Sequence, residues 1–161
     1  MNSSDNPTLY LTRGIPGSGK STFAKEWVNE KPNRVRINND ELRLELFNKR
    51  VSPEMEFSKE EESLLKQKRR SIIVDSIEKG FDVIVDNVNI SNHLIRGYIE
   101  LSKQLKCEIA VIDFSKVPLE LCLERNESRG ESKVRREDII RLHETMTRNQ
   151  EELESYGILC L

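Results

Sequence analysis

Residues 14–21 read Gly-Ile-Pro-Gly-Ser-Gly-Lys-Ser and match G-x-x-x-x-G-K-[ST] at every specified position. Such a run suits phosphate binding. Its glycines let backbone N–H groups turn inward, and the helix that follows contributes its positive dipole end. Lys20 is placed to reach the β- and γ-phosphates and the Ser21 hydroxyl to ligate Mg²⁺, while Gly14, Gly17, Ser18, Gly19 and Thr22 complete the cradle. A nucleoside triphosphate, ATP with Mg²⁺, is the expected ligand. A guanine-specific switch would show N-K-x-D, and Asn48-Lys49-Arg50-Val51 lacks the acid. A large ring ATPase needs more than 161 residues, which leaves mostly small kinases.

A kinase must also activate a hydroxyl and hold it in line with the γ-phosphate. The stretch Arg36-Ile-Asn-Asn-Asp-Glu-Leu-Arg43 offers the groups for this. Asp40 is the better candidate for the base and Glu41 the weaker. Arg43 follows Asp40 by three residues, the spacing of neighbours on one helical face. An arginine beside the base suits an acceptor with an anionic group near its hydroxyl. The same residues also read as a capped helix start carrying an ordinary i,i+3 ion pair.

Asp86 ends the apolar run Phe81-Asp-Val-Ile-Val-Asp86, and Asn87 and Asn89 follow it. Asp86 could support Mg²⁺ from behind or fix the orientation of Arg43, and a plain Asx turn is the alternative. Further on, 125–137 reads RNESRGESKVRRE. Arg125 and Arg129 beside Gly130 suit a lid of about 125–136 that closes over the triphosphate. Basic residues at a helix end also complement its dipole without any further role. The run Lys66-Gln-Lys-Arg-Arg70 reads as a solvated helix face or a contact for a phosphate backbone.

These groups need a scaffold that brings them together. Short apolar strands are expected at 8–12, 34–37, 81–86 and 108–114, with Gly157–Leu161 as a possible fifth. Helices are expected at 21–31, from Ser58 to before Gly80, at 92–106, from Pro118 to 127, and at 136–155. The S-K-E-E run at Ser58 is a capping box. Strands alternating with helices predict an α/β fold with a parallel sheet of four to five strands and helices on both faces. Ligands of such folds sit at the carboxyl ends of the strands, where the three polar clusters fall.

Residues 1–7 are polar and expected to be a loose N-terminus, leaving 8–161 as one domain. The chain is 36% hydrophobic and 34% charged with net charge −2, a globular composition without a global basic field. No apolar run is long enough to span a membrane, and the N-terminus lacks the pattern of a secretory signal. Cys107, Cys122 and Cys160 form no C-x-x-C pair, which suits a reducing cytoplasm. His93 and His143 lack metal-ligand spacing.

In order and spacing, GIPGSGKST, INNDELR, VIVDNVN and ERNESRG resemble the P-loop kinase domain of the bacteriophage-type polynucleotide kinase family over about residues 8–150. The resemblance implies transfer of the ATP γ-phosphate to the 5′-hydroxyl end of DNA or RNA. It implies Asp40 as general base, Arg43 on the phosphate 3′ of the acceptor nucleotide, and Asp86 supporting Arg43. Arg125 and Arg129 become lid arginines, with Arg129 on the ATP phosphates, and Asn87 and Asn89 belong to the acceptor side. The sequence departs from the family at Asn39, where the phage enzyme has a basic residue, and after Asp86, where the usual threonine is lacking. A D-x-D-G-T phosphatase motif is also lacking, so a kinase alone is expected, as a possible homo-oligomer. Two alternatives stand beside this: a kinase for a small phosphorylated metabolite or nucleotide, and a nucleotide-gated binding module.

Overall fold

The computed structural model describes residues 6–52 and 55–161. Most of the expected loose N-terminus therefore lies outside the described residues, and Asn6 and Pro7 carry no regular structure.

Strand β1 (Thr8–Arg13) leads through the glycine-rich loop into α1 (Lys20–Glu30), and β2 (Arg34–Ile37) follows. Helices α2 (Asn39–Phe47) and α3 (Lys59–Glu78) come next, then β3 (Asp82–Val85), α4 (Asn92–Leu105) and β4 (Glu108–Asp113). The chain closes with α5 (Leu119–Glu127), a 3-10 turn at Gly130–Ser132, α6 (Arg136–Ser155) and the short β5 (Leu159–Cys160). The five strands pair in parallel in the order β2-β3-β1-β4-β5. The expected α/β architecture, with helices on both faces of the sheet, is the one found.

Residues alternate between the two sheet faces, as the two-residue strand period requires. Leu9, Leu11, Val83, Val85 and Val111 pack with Leu65, Ile73 and Ile77 of α3 and with Ile95, Tyr98 and Leu101 of α4. Tyr10 packs with Ile84 and Ile112 against Ala24 and Trp27 of α1 on the opposite side. A third cluster, with Ile15, Ile90, Cys122, Leu123, Ile139 and Met146, seats α5 and α6 against the phosphate loop.

Local signals explain most boundaries. Ser58 accepts from the Glu61 amide while Glu61 returns a bond to the Ser58 amide, closing the expected capping box of α3. Gly80 follows α3 at φ +85°, a left-handed conformation that glycine adopts without steric cost. Helix α2 is an element that hydrophobic periodicity does not announce. Its nine residues bury only Leu42, so it shows almost no apolar stripe. Its polar start is the signal: Asn38 caps it by accepting from the Glu41 amide at 3.1 Å.

One buried group ties this frame to the site. Arg13, the last residue of β1, has no solvent exposure. It donates to Gln150 at 2.7 Å and to the Met146 carbonyl at 2.9 Å, and lies 3.7 Å from Asp113. Burial pulls its pKa below the ordinary arginine value, against the pull of Asp113. Arg13 thus fastens α6 to the base of the phosphate loop. Replacing Arg13 with Met should destabilise the protein by about 3 kcal/mol, because the acceptors left behind stay buried. A thermal melt several degrees lower is the expected result, and an unchanged melt would remove Arg13 from this role.

Candidate active site

The glycine-rich loop folds against its neighbours through backbone contacts that tolerate no side chain. Gly17 has φ +85°, and a Cβ there would stand 2.4 Å from the Cys122 carbonyl oxygen of α5. A Cβ on Gly14 would meet Phe114 Cβ at 2.8 Å. Gly19, at φ +99°, caps α1 and turns the chain into the helix. The Gly14 amide donates to the Val88 carbonyl at 3.0 Å, so the loop after β3 braces the loop after β1.

Lys20 is buried in this loop and donates to the Ile15 carbonyl at 3.1 Å. Burial pushes its pKa down to about 8; Asp86 opposes the shift, Arg129 adds to it, and Asp40 opposes it weakly. All four charges therefore act within one electrostatic neighbourhood. Arg125 donates to the Gly17 carbonyl at 3.2 Å, which joins the start of the arginine-rich segment to the phosphate loop.

A cleft of about 1250 Å³ runs along these groups. Gly17, Gly19, Lys20, Ser21 and Thr22 form its phosphate-loop wall, Asp40 comes from the first turn of α2, Asp86 and Asn87 from the loop after β3, and Arg125 and Arg129 from α5 and the turn beyond it. Gly14 and Ser18 are not on the wall. Both are buried, and they support the loop from beneath.

The loops after β2 and β3 are stitched together. Asn38 donates to the Asp86 carbonyl at 2.8 Å, and the Asn39 amide donates to the Asn87 side chain at 3.0 Å. Asp40 then projects from the first turn of α2 with a side chain 63% exposed, and Arg43 pairs with it at 3.1 Å. Both sequence readings of this stretch hold together: it is a capped helix with an i,i+3 pair, and it lines the cleft.

Three expectations need correction. Asp86 does not contact Arg43. Its Oδ2 accepts from Arg36 at 2.7 and 3.0 Å, and Arg36 reaches on to Glu41 at 2.9 Å. Alternation along β2 puts Arg36 beside Asp86, whereas Arg43 lies further along α2. Second, Arg43 itself is off the cleft wall, held by Asp40, by Glu62 at 3.2 Å and over the Phe57 ring. Third, Asn89 is buried, and its amide donates to the Thr12 carbonyl at 2.7 Å and the Val85 carbonyl at 3.0 Å. It shapes the loop and is not presented to an acceptor.

Arg36 and Asn38 are site residues that the sequence reading missed. The signals available were a charged residue alternating with Val35 and Ile37 in a strand, and a cap residue shortly before the candidate base.

A parallel sheet with these loops at its carboxyl edge is the fold of the P-loop kinases. The family described as AAA domain matches residues 9–153, and the chain belongs to it. L-seryl-tRNA(Sec) kinase of Methanococcus maripaludis is 32% identical over 136 residues, which cover 84% of this chain and 51% of that protein. The chain thus spans about half the length of this curated relative. The solved Pnkp1/Rnl/Hen1 RNA repair complex contains a chain that superposes with a TM-score of 0.80 at 24% identity, covering 94% of this chain and 47% of that one. Mycobacterium tuberculosis APS kinase CysC, solved with AMPPNP and APS, gives a TM-score of 0.58 at 19% identity, over 78% of this chain and 70% of that one. Kinase membership follows, and such kinases use ATP, usually with Mg²⁺.

The residues present fit a magnesium ion. Asp86 Oδ1 is buried at the cleft without a hydrogen-bond partner, and the Ser21 hydroxyl lies on the same wall. When bound, Mg²⁺ neutralises phosphate charge; Ser21 and Asp86 are the residues that would hold it, Asp86 most simply through water.

Two measurements check this geometry. ATP affinity should weaken as pH rises through about 8, because the free protein then loses the Lys20 charge. Calorimetric titrations between about pH 7 and 9.5 should show it, and Lys20→Met should bind more weakly with no such step. Replacing Arg36 with Met strands the buried Asp86 charge and should lower unfolding free energy by about 3 kcal/mol in denaturant titration. An unperturbed midpoint would mean that Arg36 does not hold Asp86.

Proposed function

We propose that this protein is an ATP-dependent polynucleotide kinase acting on 5′-hydroxyl ends. One observation carries the reading: Asp40 is an exposed carboxylate on the same cleft as the phosphate loop, and its charge acts on Lys20. A group so placed can accept the proton of an acceptor hydroxyl. The RNA repair complex and the tRNA-directed relative are both named for RNA, which supports a nucleic-acid acceptor over a small metabolite.

In this mechanism the acceptor hydroxyl enters between Asp40 and the γ-phosphate. Asp40 takes the proton as the hydroxyl oxygen bonds to the γ-phosphorus, and the bond from that phosphorus to the β,γ-bridging oxygen breaks to release ADP. Lys20 and Arg129 neutralise the charge that builds on the phosphates. Arg43 is a positioning residue that holds Asp40 by its 3.1 Å pair rather than a direct phosphate ligand. Residues 125–136 act as the lid, hinged beside Gly130 and bringing Arg125 and Arg129 over the triphosphate.

The 32% identity to the seryl-tRNA kinase favours a second reading, in which the acceptor hydroxyl belongs to a seryl group carried on tRNA. The chemistry at Asp40 is the same in both. Labelled γ-phosphate transfer from ATP should be compared on a 5′-hydroxyl oligonucleotide, on seryl-tRNA and on a free 3′-mononucleotide. The leading reading predicts transfer to the oligonucleotide, and Asp40→Asn should slow it at least about 100-fold while ATP binding persists. Transfer to seryl-tRNA alone moves the assignment to the second reading. Transfer to the mononucleotide alone makes the acceptor a small molecule.

A further inference from the structure

The cleft wall next to Asp40 leads onto an unneutralised basic face. Arg69, half-buried on α3, donates to the Asn39 side chain at 3.1 Å, and its guanidinium lies 5.8 Å from the centre of the Tyr98 ring. Asn39 itself lines the cleft. The neighbouring arginines on this side of the molecule, Arg36, Arg43 and Arg96, each sit on a carboxylate. Arg69 has no carboxylate within ion-pair distance among the described residues, and neither do Lys66 and Arg70. Of the three acids in the first turn of α3, Glu61 is engaged by Lys49 and Glu62 by Arg43, and Glu60 forms no ion pair with the three cations among the described residues.

Lys66, Arg69 and Arg70 stand three and four residues apart, so they share one face of α3. Lys66 and Arg70 are exposed, and Arg70 donates to Gln104 of α4 at 3.2 Å. The three cations therefore form a short track that begins at the cleft beside the candidate base and crosses α3 in the order Arg69, Lys66, Arg70. A track of this form matches a chain of phosphates better than a single anion. Asn39 is uncharged, and Arg69 delivers a cation to that point from the neighbouring helix.

We propose that this face holds the backbone phosphates of a single-stranded nucleic-acid acceptor, downstream of the nucleotide whose hydroxyl reacts. This deepens the nucleic-acid reading above and rests on it. The strand leaves the cleft past Asn39, with Arg69 at the exit and Lys66 and Arg70 beyond. The contacts read charge and not base identity, so the face sets strand affinity and leaves sequence unread.

The test compares a 5′-hydroxyl dinucleotide with a 5′-hydroxyl octanucleotide, for the wild type and the K66A/R70A double variant. The variant changes only exposed residues away from the cleft. The octanucleotide should have a KM about tenfold below that of the dinucleotide in the wild type. The variant should lose that advantage while kcat and the dinucleotide KM stay unchanged. The salt dependence of octanucleotide binding, read by fluorescence anisotropy, should become shallower by about 0.7 for each phosphate that the variant no longer neutralises. Arg69→Gln, which keeps a donor for Asn39 and removes the charge, should raise the octanucleotide KM in the same direction. Equal octanucleotide KM and equal salt slopes in wild type and variant would overturn the proposal and leave a solvated helix face. If strands of neither length are phosphorylated, the acceptor reading itself fails. The anisotropy comparison then decides this proposal alone, with equal binding by both proteins overturning it.

Discussion

A carboxylate with no solvent exposure needs a cation or a hydrogen-bond donor close by, and Asp86 meets that requirement through Arg36. Much of the cleft follows from this pair. Because Arg36 belongs to β2 and Asp86 follows β3, their attraction registers the two loops that flank the phosphate loop. Asn38 adds a bond to the Asp86 carbonyl, and Asn39 one to Asn87. Asp40 comes next in the chain, so these contacts, together with its own pair to Arg43, set its place relative to the phosphate loop. The second Asp86 oxygen is buried without a protein partner.

The phosphate loop is fixed by close backbone approach. With Gly17 against the Cys122 carbonyl, α5 sits directly on the loop, and Arg125 from the same helix reaches back to the Gly17 carbonyl. The segment that carries Arg129 is therefore anchored at one end to the part of the protein that cradles phosphate. Its other end runs into α6, which Arg13 fastens to the end of β1. Both supports of this arginine-bearing segment trace to the strand that feeds the phosphate loop.

A phosphate loop serves kinases with many different acceptors. On the proposed reading, acceptor chemistry is decided at the loops after β2 and β3 and at α2 and α3, where the groups are polar and individually replaceable. Fold likeness therefore establishes the donor side more firmly than the acceptor side. The basic face of α3 is a property of this sequence, read from its own charges.

The alternation of strands and helices, the capping box at Ser58 and the phosphate-loop motif were all legible in the sequence, because each rests on a local periodicity or on turn chemistry. The glycine spacing alone placed Lys20 and Ser21 on a phosphate-binding turn. Helix α2 was legible only from its polar start, since it buries one leucine and shows little apolar periodicity. The partner of Asp86 was not legible. Arg36 and Arg43 are both basic and both near the candidate base, and only the strand register puts the first beside Asp86 and sends the second toward Glu62 and Phe57. Asn89 looked like an acceptor group because it is polar and follows a strand, yet three backbone carbonyls claim its amide. Residue type and spacing determine which chemistry a segment can offer. Which partner each charge takes depends on distances between strands far apart in the chain, and those are set only when the sheet assembles.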